Sequence, residues 1–230
     1  MAPEIIPLRS GIAAGSTRRI ADLPESGSLI LALMEVLVTP DGPAGLDRRD
    51  VRVGDAYERV RGDERHRVAE LKRSRRVHLG GSLALVFENR DTIRAALEEA
   101  LRTERLDDPD RVAEEIGVFN AVVPEPGQLA AMLFVEVADP ADLAAAAARL
   151  EGVERTVFME VAGARVRGVP EVVSPPGEVV PAHYLRFSLE PGQRAAVAGG
   201  SAIAIGTDHP NLTASVQLDD EQRRAIAAEL

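Results

Sequence analysis

Two histidines and two glutamates are the residues best suited to chemistry in this chain. His183 opens the segment Ala182-His183-Tyr184-Leu185-Arg186-Phe187, and His209 lies in Thr207-Asp208-His209-Pro210. Glu88 ends the apolar run Leu83 to Phe87, and Glu99 follows eleven residues later on an amphipathic stretch. Imidazoles and carboxylates converging from strand ends suit iron, manganese or zinc. A carboxylate at a strand end facing a cleft also suits a general base. The expected metal set is therefore His183, His209, Glu88 and Glu99, with His183, His209 and Glu88 as the catalytic groups. Asn89, Arg90, Tyr184 and Arg186 stand beside them and suit an anionic group of a small-molecule substrate. Glu104 is five positions beyond Glu99 and points about 140° away round a helix, so it stays outside the set. No metal-ligand spacing such as HExxH accompanies these residues. Each also has a structural reading: a satisfied core histidine, an ion pair of Glu88 with Arg90 or Arg94, and turn chemistry at Asp208-His209.

The elements that must position these residues follow from periodicity. Residues 83–88 read as a strand. Asn89 or Asp91 caps a helix over roughly 91–105, whose apolar positions Ile93, Ala96, Leu97, Ala100 and Leu101 keep a 3.6 period. Arg61 to Arg73 reads as a solvated helix, and His78-Leu79-Gly80-Gly81 as a turn. A further helix lies near 112–119, and another at 140–151 with Asp139 as cap and Pro140 in its first turn. Strands are expected at 130–137, 155–167 (bent or split at Gly163), 182–189, 201–206 and 212–218. Short helices follow Glu190 and Asp219. In the strand 182–189, alternation places His183, Leu185 and Phe187 on one buried face. Helices in one run and strands in another predict an α+β fold with a largely antiparallel sheet and helices packed on one face. Residues 1–46 form an N-terminal extension with an apolar run at 29–38, a candidate lid or docking segment. Residues 47–230 form a single domain, in which 168–181 is a loop.

Composition narrows the function classes. The chain has 230 residues, 45% of them apolar and 28% charged, which predicts a globular protein with its own core. It has no cysteine, so thiolate catalysis, disulfides and cysteine-held metals are excluded. Its net charge of −10 and 3% aromatics argue against nucleic acid and anionic membranes as partners. The run 29–38 is too short to span a bilayer, and the N-terminus does not read as a signal peptide. A cytoplasmic location is expected. Lys72 is the single lysine and lies in a charged run, unsuited to Schiff-base chemistry. Neither a phosphate-binding glycine loop nor a GxSxG elbow is present.

The motifs AYERVR (56–61), RRVHLG (75–80), FENRDT (87–92), the Asn120 to Pro124 segment, HYLRF (183–187) and TDHP (207–210) occur together in order. From about residue 46 to the end, the chain resembles the bacterial domain-of-unknown-function family 3501. The resemblance implies a setting in redox or peroxide metabolism, since genes of rubrerythrin-like and iron–sulfur oxidoreductase type accompany the family. The family places Gln, Gln and Met where this chain has Ala96, Glu98 and Ala100, which implies a changed ligand or substrate and a specialised biosynthetic pathway. The expected function is thus a small-molecule enzyme using metal-dependent redox chemistry. The alternatives are a non-catalytic partner of an oxidoreductase, or a small-molecule-binding homodimer joined through an edge strand.

Overall fold

A computed structural model describes residues 45–171 and 180–230. The apolar run 29–38 lies outside the described residues. The first element of the described residues is a short helix α1 (Asp55–Glu58), followed by α2 (Arg61–Arg73), β1 (Arg76–Leu79) and β2 (Leu83–Glu88). Helices α3 (Arg90–Thr103) and α4 (Pro109–Asn120) follow, then β3 (Gln128–Val135) and α5 (Leu143–Arg149). Strands β4 (Val157–Val161), β5 (Ala164–Arg167), β6 (Val169–Pro170) and β7 (Ala182–Ser188) come next. Helix α6 (Pro191–Ala198), β8 (Ile203–His209), β9 (Leu212–Gln217) and α7 (Asp220–Ala227) complete the order.

Among the described residues every strand pairing is antiparallel, and the strands divide between two sheets rather than one. The first has the order β1-β2-β3-β7-β6 and the second β5-β4-β8-β9. Strand β2 shows why: all six of its residues are buried. Leu83, Leu85 and Phe87 enter the core between the sheets, with Leu129, Leu133, Met159, Ile203 and Ile205. The opposite face of the first sheet, through Ala130, Met132 and Tyr184, packs on Ile93, Leu97, Leu101, Val112 and Phe119 of α3 and α4. A strand buried on both faces is apolar throughout. The result is three layers: helices, sheet, sheet.

Local chemistry accounts for the boundaries. Asn89 caps α3 through a reciprocal box with Thr92, in which Thr92 N–H donates to Asn89 Oδ1 at 3.0 Å and Asn89 N–H to Thr92 Oγ1 at 2.8 Å. Helix α4 starts at Pro109 rather than near 112, because Asp108 accepts from Asp110 and Arg111 N–H and proline suits the first turn. The expected strand 155–167 divides at a turn through Ala162 and Gly163, both with positive φ, giving β4 and β5. It also starts later, since Val153–Arg155 is a single 3₁₀ turn. Two strands escape the sequence reading: β1, whose charged Arg76 and exposed His78 hide its period, and the two-residue β6 within the expected loop.

Candidate functional site

Sheet alternation decides which of the expected site residues meet. Glu88 lies opposite Ala130, and Ala130 opposite Arg186, so these share the helix-facing side of the first sheet. His183 lies opposite Leu133, a residue of the inter-sheet core, so it points to the other side. Leu185 and Phe187 lie in the same core, as the alternation predicts. His209 is at the end of β8 in the second sheet. Glu99 on α3 turns toward α1 and α2. The four expected metal ligands are therefore not brought together. Among the described residues no group of three or more His, Asp or Glu side chains is placed to hold a metal ion. The expected iron, manganese or zinc set does not fit this geometry, and no step is routed through a metal.

Each dispersed residue has its own partners. Glu88 is buried and accepts from Lys72 Nζ at 2.9 Å. It lines a small pocket with Ile93, Ala96, Phe119, Val122 and Tyr184. Tyr184 donates to the Val122 carbonyl at 2.6 Å, and burial, with the Glu88 charge beside it, pushes its phenol well above the ordinary value. Arg186 donates to the carbonyl of Ala121 at 2.6 Å, to that of Val123 at 3.3 Å, to Gln128 Oε1 at 3.0 Å and to the Glu171 carboxylate. Those carbonyls follow the last turn of α4, so Arg186 acts as a C-terminal anchor for that helix. Asn89, besides its cap, donates to Glu229 Oε1 at 2.9 Å. Arg90 pairs with Asp50 at 2.6 Å, not with Glu88.

Glu99 accepts from Arg61 at 2.7 Å and from the Tyr57 hydroxyl at 3.0 Å. Burial pushes this carboxyl up, but the two hydrogen bonds together with the charges of Arg61 and Arg102 hold it below the ordinary value. Its neighbour Glu98 is fully buried and takes a forked pair from Arg52 at 2.9 and 2.8 Å. Arg52 also reaches Glu64 at 3.3 Å, and Glu64 is in turn paired with Arg67 and Arg94. This network clamps α2, α3 and the segment before α1. Its sequence trace is the i, i+4 spacing of Arg94 and Glu98 on a helix. His209 is buried between two backbone groups. Its Nδ1 accepts from Asn211 N–H at 3.2 Å, which places the ring proton on Nε2, 3.0 Å from the Glu151 carbonyl. It ties the β8–β9 hairpin to the end of α5.

His183 differs from the others. Its Nε2 faces Oε2 of Glu154 at 3.9 Å, and the ring also hydrogen-bonds the Val180 backbone. Glu154 lies in the 3₁₀ turn before β4 and is fully buried. One of its oxygens accepts from Arg155 Nε at 3.1 Å, while Oε2 has no hydrogen-bond partner. Burial depresses the basicity of the imidazole, and the Glu154 charge partly restores it. The imidazole thus faces a carboxylate sealed from water with one open oxygen, a setting suited to acid–base work by the histidine. Glu154 escapes the sequence reading because it sits in a short turn with no period. Its one sequence signal is an acidic residue set beside Val153, between apolar helix and apolar strand.

These features define a three-layer α+β protein with two antiparallel sheets and a buried histidine–glutamate pair. The chain belongs to the family described as Protein of unknown function (DUF3501), whose model matches residues 45–230. A solved structure, described as that of a novel protein of unknown function from Burkholderia pseudomallei K96243, is similar to it. The two chains are 31% identical, the match covers 80% of this chain and 98% of that one, and the TM-score is 0.75. No curated protein matches the chain. Among the described residues no helix is long and apolar enough to cross a membrane.

Proposed function

We propose that this protein is a small-molecule enzyme of the proton-transfer type, in which His183 is the acid–base group and Glu154 the carboxylate that orients it. The observation that carries the reading is the Glu154 Oε2 atom, buried, without a hydrogen-bond partner, and 3.9 Å from His183 Nε2. An open buried carboxylate oxygen costs stability and calls for an occupant, here a proton in transit or a polar atom of a substrate. Proton removal from a carbon acid is the simplest reaction that needs only this pair. The test is deuterium exchange. The purified protein is mixed with a small-metabolite extract in D2O, and carbon-bound deuterium is followed by mass spectrometry. The wild type washes deuterium into a particular metabolite, while His183→Gln and Glu154→Gln lose this by roughly 100-fold or more. Identical exchange patterns for wild type and folded variants overturn the reading.

A second reading, a non-catalytic partner that docks on an oxidoreductase, draws on a different observation. Tyr184, Arg186 and His209 spend their polar atoms on partners within the protein itself, mostly backbone groups. Wild-type protein that exchanges no deuterium favours this second reading.

A further inference from the structure

Among the described residues the two sheets have four edge strands, and three are guarded. Strand β1 carries Arg76 and His78, and its Arg76 carbonyl already accepts from Gln222 Nε2 at 2.7 Å. Strand β5 carries Arg165 and Arg167. Strand β6 is two residues long and contains Pro170. Charge, proline, covering groups and shortness are how sheets prevent edge-to-edge pairing. Strand β9 has none of these among the described residues. It reads Leu-Thr-Ala-Ser-Val-Gln, uncharged over its six residues, and Thr213, Ser215, Val216 and Gln217 are exposed. Val216 is 36% exposed, one of two large apolar residues open to solvent among those described.

The direction of its free backbone groups follows from the ladder. Leu218 N–H donates to the Ile203 carbonyl at 2.9 Å, so with the register Ala204↔Gln217 the even-numbered residues of β9 bond toward β8. The N–H and C=O groups of Thr213, Ser215 and Gln217 therefore point out from the edge. We infer that this edge receives the same edge of a second copy, antiparallel and two-fold symmetric about Ser215. That register sets Ser215 against Ser215 of the second copy, Thr213 against its Gln217, and Ala214 against its Val216. It uses all three outward-facing residues and places no like charges opposite one another. The two four-stranded sheets become one continuous sheet, and the exposed Val216 is covered. The symmetry is that of a closed isologous dimer. One strand pair buries little surface, so the dimer forms and separates with concentration. This inference is independent of the acid–base reading.

Gel filtration with light scattering tests it, on the full chain from ~10 µM to ~1 mM. The wild type should approach twice the chain mass of 24.6 kDa at the upper end. Ser215→Lys and Ser215→Asp, which set like charges against themselves across the symmetry axis, should each remain at the single-chain mass. Their equimolar mixture should return to the dimer mass, since opposite charges then face each other. A wild type that stays at the single-chain mass throughout overturns the proposal, as does a Ser215→Lys variant that keeps the dimer. A mixture that stays monomeric overturns the pairing about Ser215. The exposed site leaves folding intact, which a circular dichroism spectrum verifies.

Discussion

At the scale of single residues, the His183 ring carries a cost that depends on pH. Burial lowers its basicity below the ordinary value of 6.5, and Glu154 offsets part of this. The unfolded chain therefore binds more protons than the folded one as pH falls below 6.5, and stability is lost in that direction until the folded ring itself protonates. His183→Gln removes this loss: between about pH 8 and about pH 5 its urea midpoint should fall less than that of the wild type. Glu154→Gln acts oppositely, because the ring loses the charge that favours its protonated form, and an NMR titration of His183 should move to lower pH. A second residue-scale prediction concerns Gly206. A Cβ there would lie 2.4 Å from the Phe158 ring and 2.8 Å from the Ala214 carbonyl, while Arg165 stacks on that ring at 4.1 Å. Gly206→Ala should cost roughly 1–3 kcal/mol in denaturant unfolding.

At the scale of elements, caps and anchors join the helical layer to the sheet. Asn89 both caps α3 and holds Glu229 beyond α7. Asn89→Ala should cost about 1–2 kcal/mol, measured by urea denaturation. Arg186→Ala should leave the carbonyls of Ala121 and Val123 without their donor, and hydrogen exchange in the last turn of α4 should accelerate while that in β3 stays slow. The elements legible in the sequence are those whose side chains repeat with a clear period. β2 shows as an unbroken apolar run, α3 as a 3.6 repeat behind a good cap, and β7 as an alternation that sets His183 beside Leu185 and Phe187. β1 was hidden because an edge strand tolerates charge, and β6 because two residues have no period. The expected four-ligand site failed for a related reason. Glu88 and His183 were legible as strand residues, but opposite faces and the division into two sheets depend on pairings between distant segments. Glu154 was hidden because its significance comes wholly from the ring that it faces.

At the scale of the whole molecule, Leu46 is the first residue of the helix-side cluster among the described residues, and it is bonded through its backbone to the Asn120 side chain at 2.6 and 2.9 Å. The family model matches residues 45–230, so deleting residues 1–44 should leave a single cooperative thermal transition. Deleting residues 1–52 should lower its midpoint by several degrees or more, because Leu46, Val51 and the Arg52–Glu98 pair are lost. The path of the chain through the layers has a kinetic consequence. It builds β1 to β3 in the first sheet and β4 and β5 in the second, returns to the first for β6 and β7, and ends in the second with β8 and β9. Neither sheet is a continuous stretch of sequence, so neither can be completed by local pairings alone. Loops must close before the pairings of β3 with β7 and of β4 with β8 repay them, which places refolding in the slow range of about milliseconds to seconds. Two fragments cut between β5 and β6 would each carry part of both sheets, and either would remain unfolded until it met the other.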